Sequence, residues 1–262
     1  MNHSPSLLNA VPRAWVSTFS VVSLLVVWWA VTNFGLIGPT YLPSPQSLVA
    51  VTYDLIVNGY QRVPLAEHIG YSLFRALSGF ALGVALGIPT GLITGYNRTA
   101  DAVMSPIMAF VRPIPPIAFI PMAVLYFGLG EVGKVVLIFI TAFNYAHVNA
   151  HAGASHVSIV YLRAAQSLGL SSFQLFRKIV FPAALPQIFT GMKVAMALSW
   201  AVVVAAELVG AQRGLGFMIS DAAQLFQIPV VFVGIGLIGL IGLILNFMLG
   251  ATETKLIHWK GR

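Results

Sequence analysis

Apolar positions gather into six long runs, at 15–32, 76–94, 107–127, 135–151, 194–209 and 230–251, each uncharged or nearly so. About 20 residues rising 1.5 Å each match a hydrocarbon core of roughly 30 Å, so each run predicts a membrane-spanning helix. Arg75, Arg112, Lys193 and Glu207 stand at or inside the run edges and blur the boundaries. The first run ends in Trp28 and Trp29 and has no small-x-small cleavage site before Asn33. It predicts a retained helix with interfacial aromatics, not a secretory signal. The expected fold class is therefore all-α: a polytopic membrane protein with six transmembrane helices.

Two spans have internal patterns. Gly79, Gly83, Gly87, Gly91 and Gly95 recur at every fourth position of the second and place a smooth strip on one helix face. Such a strip lets backbones approach closely, or it lines a substrate path. Pro89 predicts a bend in this helix. The third span contains Arg112, Pro113, Pro115, Pro116 and Pro121, so its hydrogen-bond ladder is interrupted. Discontinuous backbone at membrane depth must be buried in protein or line a cavity. The segment is a candidate translocation path, or a structural kink.

Between the fourth and fifth spans lies a long basic segment. Val157, Val160, Tyr161, Ala164, Ala165 and Leu168 recur at helical spacing. Gly169 supplies a left-handed C-terminal cap to this short amphipathic helix. Ser171 and Gln174 have capping-box spacing ahead of a second short helix, which Pro182 is expected to limit. The first helix fits either a lipid surface or a groove in a partner.

Composition and charge sharpen this picture. Hydrophobic residues make up 58% and charged residues 8% of 262, too little polar surface for a water-soluble globule of this size. The absence of cysteine excludes disulfides, thiolate metal sites and cysteine nucleophiles. The net charge of +7 punctuates apolar runs instead of gathering on one face, so it indicates membrane orientation and not nucleic acid. With the N-terminus inside, nine basic residues are cytoplasmic: Arg13, Arg98, Arg163, Arg177, Lys178, Lys193, Lys255, Lys260 and Arg262. Three are external, Arg62, Lys134 and Arg213, with Arg75 and Arg112 set aside as intramembrane. This positive-inside bias predicts that both termini are cytoplasmic.

Ala164 and Ala165, Gly169 four residues further on, then Ile179, Phe181 and Pro182 resemble the cytoplasmic EAA loop of type I ABC importer permeases, with the spacing intact. Arg163 replaces the consensus Glu and Phe181 the usual Leu, so the role of that Glu does not carry over. Three further segments extend the resemblance over residues 65–251. They are Arg112-Pro113-Ile114-Pro115-Pro116, Phe127-Gly128-Leu129-Gly130-Glu131, and Ala205-Ala206-Glu207-Leu208 followed by Arg213-Gly214-Leu215-Gly216. They are most similar to the taurine branch of the nitrate, sulfonate and taurine permeases.

The resemblance implies a type I permease core at 63–252 with a coupling loop at 155–186. An N-terminal segment, 1–62, holds the first helix and an external loop, and a cytoplasmic tail occupies 253–262. It further implies a bacterial inner-membrane homodimer served by a pair of cytoplasmic ATPase subunits and a periplasmic binding protein. The cargo implied is taurine or a related sulfonate, with nitrate or a pyrimidine as alternatives. ATP is hydrolysed by the separate subunits, so neither catalytic residues, nor a cofactor, nor a metal is expected in this chain. The loop residues Arg163, Ala164, Ala165, Gly169, Ile179 and Pro182 would couple to the ATPase.

Two motif matches fail on chemistry. Gly128, Gly133 and Lys134 match G-x-x-x-x-G-K, but Val135 replaces the Ser/Thr that would hold magnesium and no strand precedes it. His147 and His151 are spaced like zinc ligands, but Val148 replaces the zincin Glu, so packed or interfacial histidines are expected. Glu207 is the one carboxylate well inside a span, and Arg75 is its expected partner, with a place on the substrate path as the other reading. An ion-coupled secondary transporter, the rival class, would need more such acidic relays.

Overall fold

The computed structural model describes residues 13–257; the basic residues Lys260 and Arg262 and the ends of the chain lie outside that range. The described residues contain eleven α-helices and no named strand. Five helices are long and apolar enough to cross a membrane, and a bent pair makes a sixth span. The long helices are α1 (Arg13–Asn33), α3 (Leu65–Tyr96), α6 (Glu131–Ser155), α9 (Phe181–Leu208) and α11 (Ile228–Leu256). The bent span joins α4 (Arg98–Val111), a 3-10 turn at Pro116–Phe119 and α5 (Ile120–Phe127), with an angle of 81° at the break.

Several expected boundaries need correction, all in one direction. The second span is longer than the predicted 76–94, and α6 and α9 also extend beyond their apolar runs. Charge stops a hydropathy run but does not stop a helix when the charge finds a partner. Arg75, Glu131, Lys193 and Glu207 are all ion-paired within these helices. Pro182 does not limit the chain either. It lies in the first turn of α9, directly after a π-helical turn at Phe176–Val180, and the helical path continues from Ser172 to Leu208. The N–H that Pro182 lacks falls where the π turn already interrupts the regular i→i−4 ladder.

Two helices were missed because they are too short and mixed to span. The helix α2 (Pro45–Asn58) starts at an N-cap, where the Ser47 N–H donates to Ser44 Oγ at 3.2 Å. The helix α10 (Leu215–Gln224) packs between α9 and α11.

The core is a bundle of α3, α6 and α9. The glycine strip of α3 meets α6 in parallel and in constant register, Gly79 on Ile138, Gly83 on Ala142, Gly87 on Ala146 and Gly91 on Ala150. A Cβ at Gly79 would fall 2.6 Å from that of Ile138, and one at Gly87 2.7 Å from the Phe143 carbonyl oxygen. The strip is covered by α6. Asn149 and Gln187 tie α6 to α9, whose Gly191 abuts Asn149.

Candidate functional site

Three constellations emerge on this scaffold. At one end of the bundle, Arg75 on α3 is 2% exposed and gathers four segments. It donates to Glu131 at the start of α6 at 2.5 and 2.7 Å, to Glu207 near the end of α9 at 2.7 Å, and to the Arg213 carbonyl at 2.7 Å. Glu207 also accepts from the Ser72 hydroxyl at 2.8 Å and from the Gly216 N–H at 2.8 Å. The Leu215 N–H donates to Ser72 Oγ at 2.9 Å, so the segment after α9 is bound into the same cluster. Gly214 has φ +128°, and a Cβ there would fall 2.5 Å from the Glu207 carboxyl carbon. Intramembrane charges are tolerated when paired in this way.

The Arg75–Glu207 pairing expected from sequence is present. Glu131 is the partner that sequence reasoning missed, although it ends one of the segments carrying the resemblance. Glu207 itself is 1% exposed, enclosed by the groups that donate to it. Lys134 turns its amine back to the Leu129 carbonyl at 2.8 Å, which occupies the group a phosphate loop would need free. Nearby, at the same end, burial and the Asp221 carboxylate, which accepts the phenol proton at 2.6 Å, push the Tyr60 pKa upward.

The opposite end carries the loop. Its first helix, α7 (Ile159–Ser167), is anchored by Ala165, 3% exposed, in an apolar cluster with Leu92, Ala154, Leu175 and Ala184. Gly169 follows at φ +78° with open space around it, and α8 (Ser172–Leu175) begins with the expected Ser171–Gln174 capping box. Arg163 and Ala164 face outward, whereas Ile179 and Pro182 are half-buried. Tyr96 at the end of α3 donates its hydroxyl to the Ser172 carbonyl at 3.3 Å and packs on Phe176 with ring centroids 5.6 Å apart. The loop is thus tied directly to a core helix.

The third constellation lies beside the break between α4 and α5. Arg112 ends α4, and Pro113 and Pro115 occupy the exposed non-helical link before Pro116 opens the 3-10 turn. A cavity of about 300 Å³ there is lined by Arg112, Asp101, His147 and His151, among others. His147 Nδ1 lies 3.1 Å from Thr90 Oγ1 and His151 Nδ1 3.1 Å from Thr94 Oγ1. Asp101, from the first turn of α4, stands 3.8 Å from His151 Nδ1. Sequence spacing found the histidine pair but not this carboxylate, which comes from another helix.

A long-helix bundle with a broken span and an exposed, cap-terminated helical loop is the architecture of a multi-pass membrane protein. Comparison with known proteins gives its class. A family described as binding-protein-dependent transport system inner membrane component matches residues 83–258, and the chain belongs to it. It is 37% identical over 247 residues to the taurine transport system permease protein TauC of Escherichia coli, covering 94% of this chain and 90% of that one. The putative aliphatic sulfonates transport permease protein SsuC of Bacillus subtilis is 32% identical over 237 residues, 90% of this chain and 84% of that one. A chain of the MetNI methionine ABC transporter, solved in inward facing conformations, shares the fold with a TM-score of 0.63 at 19% identity. That match covers 76% of this chain and 96% of the other. The protein is a multi-pass ABC importer permease, and its family implies ATPase and binding-protein partners.

Proposed function

We propose that this permease imports taurine or a closely related small sulfonate, working as a homodimer with both termini in the cytoplasm. The observation that carries the coupling part of this reading is α7. Its Ile159, Val160 and Tyr161 side chains are 57, 67 and 66% exposed, although a buried alanine fixes the helix to the bundle. An apolar helix face held out from a bundle fits a groove in a partner. The segment from Arg163 to Pro182 is therefore assigned to ATPase contact, with Gly169 at its tip. Its bonds to the end of α3 give motion a route into the core.

The translocation path is assigned to the break at Arg112, Pro113, Pro115 and Pro116, because non-helical backbone at membrane depth belongs beside a cavity. Glu207 holds the opposite, external end together and does not meet cargo. The domain reading follows: 1–62 as an N-terminal helix with its external segment, 63–252 as the permease core, and 253–262 as a cytoplasmic tail. The nine-to-three bias of basic residues supports the orientation. The cargo rests on the substrates named for the TauC and SsuC relatives. Uptake of labelled taurine by vesicles holding the permease, its ATPase and its binding protein should require ATP. Calorimetry in which the cognate binding protein took nitrate or a pyrimidine, and no sulfonate, would overturn the cargo.

A further inference from the structure

The cavity beside the broken span has charges of both signs on its wall. The Arg112 side chain makes no hydrogen bond or ion pair with the described residues, so its guanidinium is available to an anionic group. Asp101 lines the same space and takes only the Ser105 hydroxyl, at 2.5 Å, and His151, at 3.8 Å. His147 and His151, whose Nδ1 atoms lie 3.1 Å from Thr90 Oγ1 and Thr94 Oγ1, add polar wall. Apolar wall is supplied by Met108.

A bare anion would meet Arg112 but be repelled by Asp101, and a bare cation would meet the reverse. We infer that this cavity is a binding site for a small zwitterion, its acid group on Arg112, its ammonium toward Asp101 and its short carbon chain against Met108. The permease itself thus discriminates 2-aminoethanesulfonate from a plain alkanesulfonate, independently of the binding protein. This deepens the substrate reading above and rests on it for the sulfonate group. The arrangement is a built one: Asp101 reaches the cavity from the first turn of α4, Arg112 from its C-cap, and the histidines from α6.

The test uses the permease–ATPase complex in lipid nanodiscs without binding protein, and measures equilibrium binding of taurine, ethanesulfonate and ethylammonium. The wild type should bind taurine at least about tenfold more tightly than either single-charge probe, the size expected for one charge-assisted contact. Asp101→Asn should bring the taurine-to-ethanesulfonate ratio close to one, Asp101→Glu should retain the preference, and Arg112→Gln should remove sulfonate binding. Monodisperse complexes of each variant establish that they fold. Absent taurine binding in the wild type, or an Asp101→Asn ratio equal to the wild-type ratio, would overturn the site. Failure of the cargo reading is seen separately, in a cognate binding protein that does not take sulfonates. Taurine uptake by the complete transporter without cavity binding would remove this site alone.

Discussion

Replacing Glu207 by glutamine changes one charge and almost no volume where α3, α6, α9 and the segment before α10 converge. The Glu207 side chain is fully enclosed, and both of its oxygens accept. Arg75 and Ser72 donate to Oε1, and the Gly216 N–H donates to Oε2. A glutamine amide must set its NH2 against one of these donors. It also leaves Arg75, 2% exposed, with only Glu131 as counterion. Removing one partner of a buried pair costs roughly 3–5 kcal/mol, and the surviving Glu131 contact places this case near the lower limit, about 3 kcal/mol. On the usual dependence for chains near this size, that lowers the unfolding midpoint by roughly 6–12 °C. Thermal unfolding of the detergent-purified permease, followed by tryptophan fluorescence, reads the shift. Glu131→Gln is the comparison: its carboxylate is 43% exposed, so solvent screens the pair and about 1 kcal/mol is expected. A Glu207→Gln midpoint equal to the wild type, or a Glu131→Gln loss as large as that of Glu207→Gln, would refute the reasoning.

Gly169→Glu should leave the permease inserted, since a Cβ there meets only open space, yet weaken ATPase copurification and abolish uptake; normal uptake would remove the coupling role of the loop. Gly83→Ala should destabilise the bundle by about 1–3 kcal/mol, because its Cβ would fall 2.5 Å from that of Ala142 and 2.7 Å from the Phe143 nitrogen. Gly236→Ala, with no atom within 4 Å, should not, and equal melting of the two would contradict the parallel α3–α6 packing. In this cysteine-free chain, single cysteines at Thr40 and Gln224 should react with an impermeant thiol reagent from outside, and those at Thr99 and Ser172 only after the membrane is opened. The opposite labelling pattern would reverse the orientation.

Hydropathy located the spans because it reports the quantity the bilayer selects, apolar length. It clipped α3, α6 and α9 for the same reason. A window sees the charge of Arg75 or Glu131 but cannot see that the two are 2.5 Å apart, since their separation along the chain carries no local signal. The Gly169 cap and the Ser171 box were legible because capping is local chemistry, complete within four residues. The cavity beside Arg112 was half legible. Helical spacing puts His147 and His151 on one face, but Asp101 reaches them only through the fold of α4 against α3 and α6.

The apolar stripe of α7 sets a different limit. Ala165 and Val160 belong to one sequence pattern, yet the first is buried in its own chain and the second is 67% exposed. Periodicity measures how a helix divides its sides, not what covers each of them, so it cannot separate an intramolecular face from an intermolecular one. Small residues give the distinction here. An alanine at position 165 lets α7 lie close on the bundle through a narrow contact, and the bulky residues beside it are left for a surface that the described residues do not supply. A coupling element needs both properties together, a fixed attachment to the core and an uncovered face for the partner that moves it.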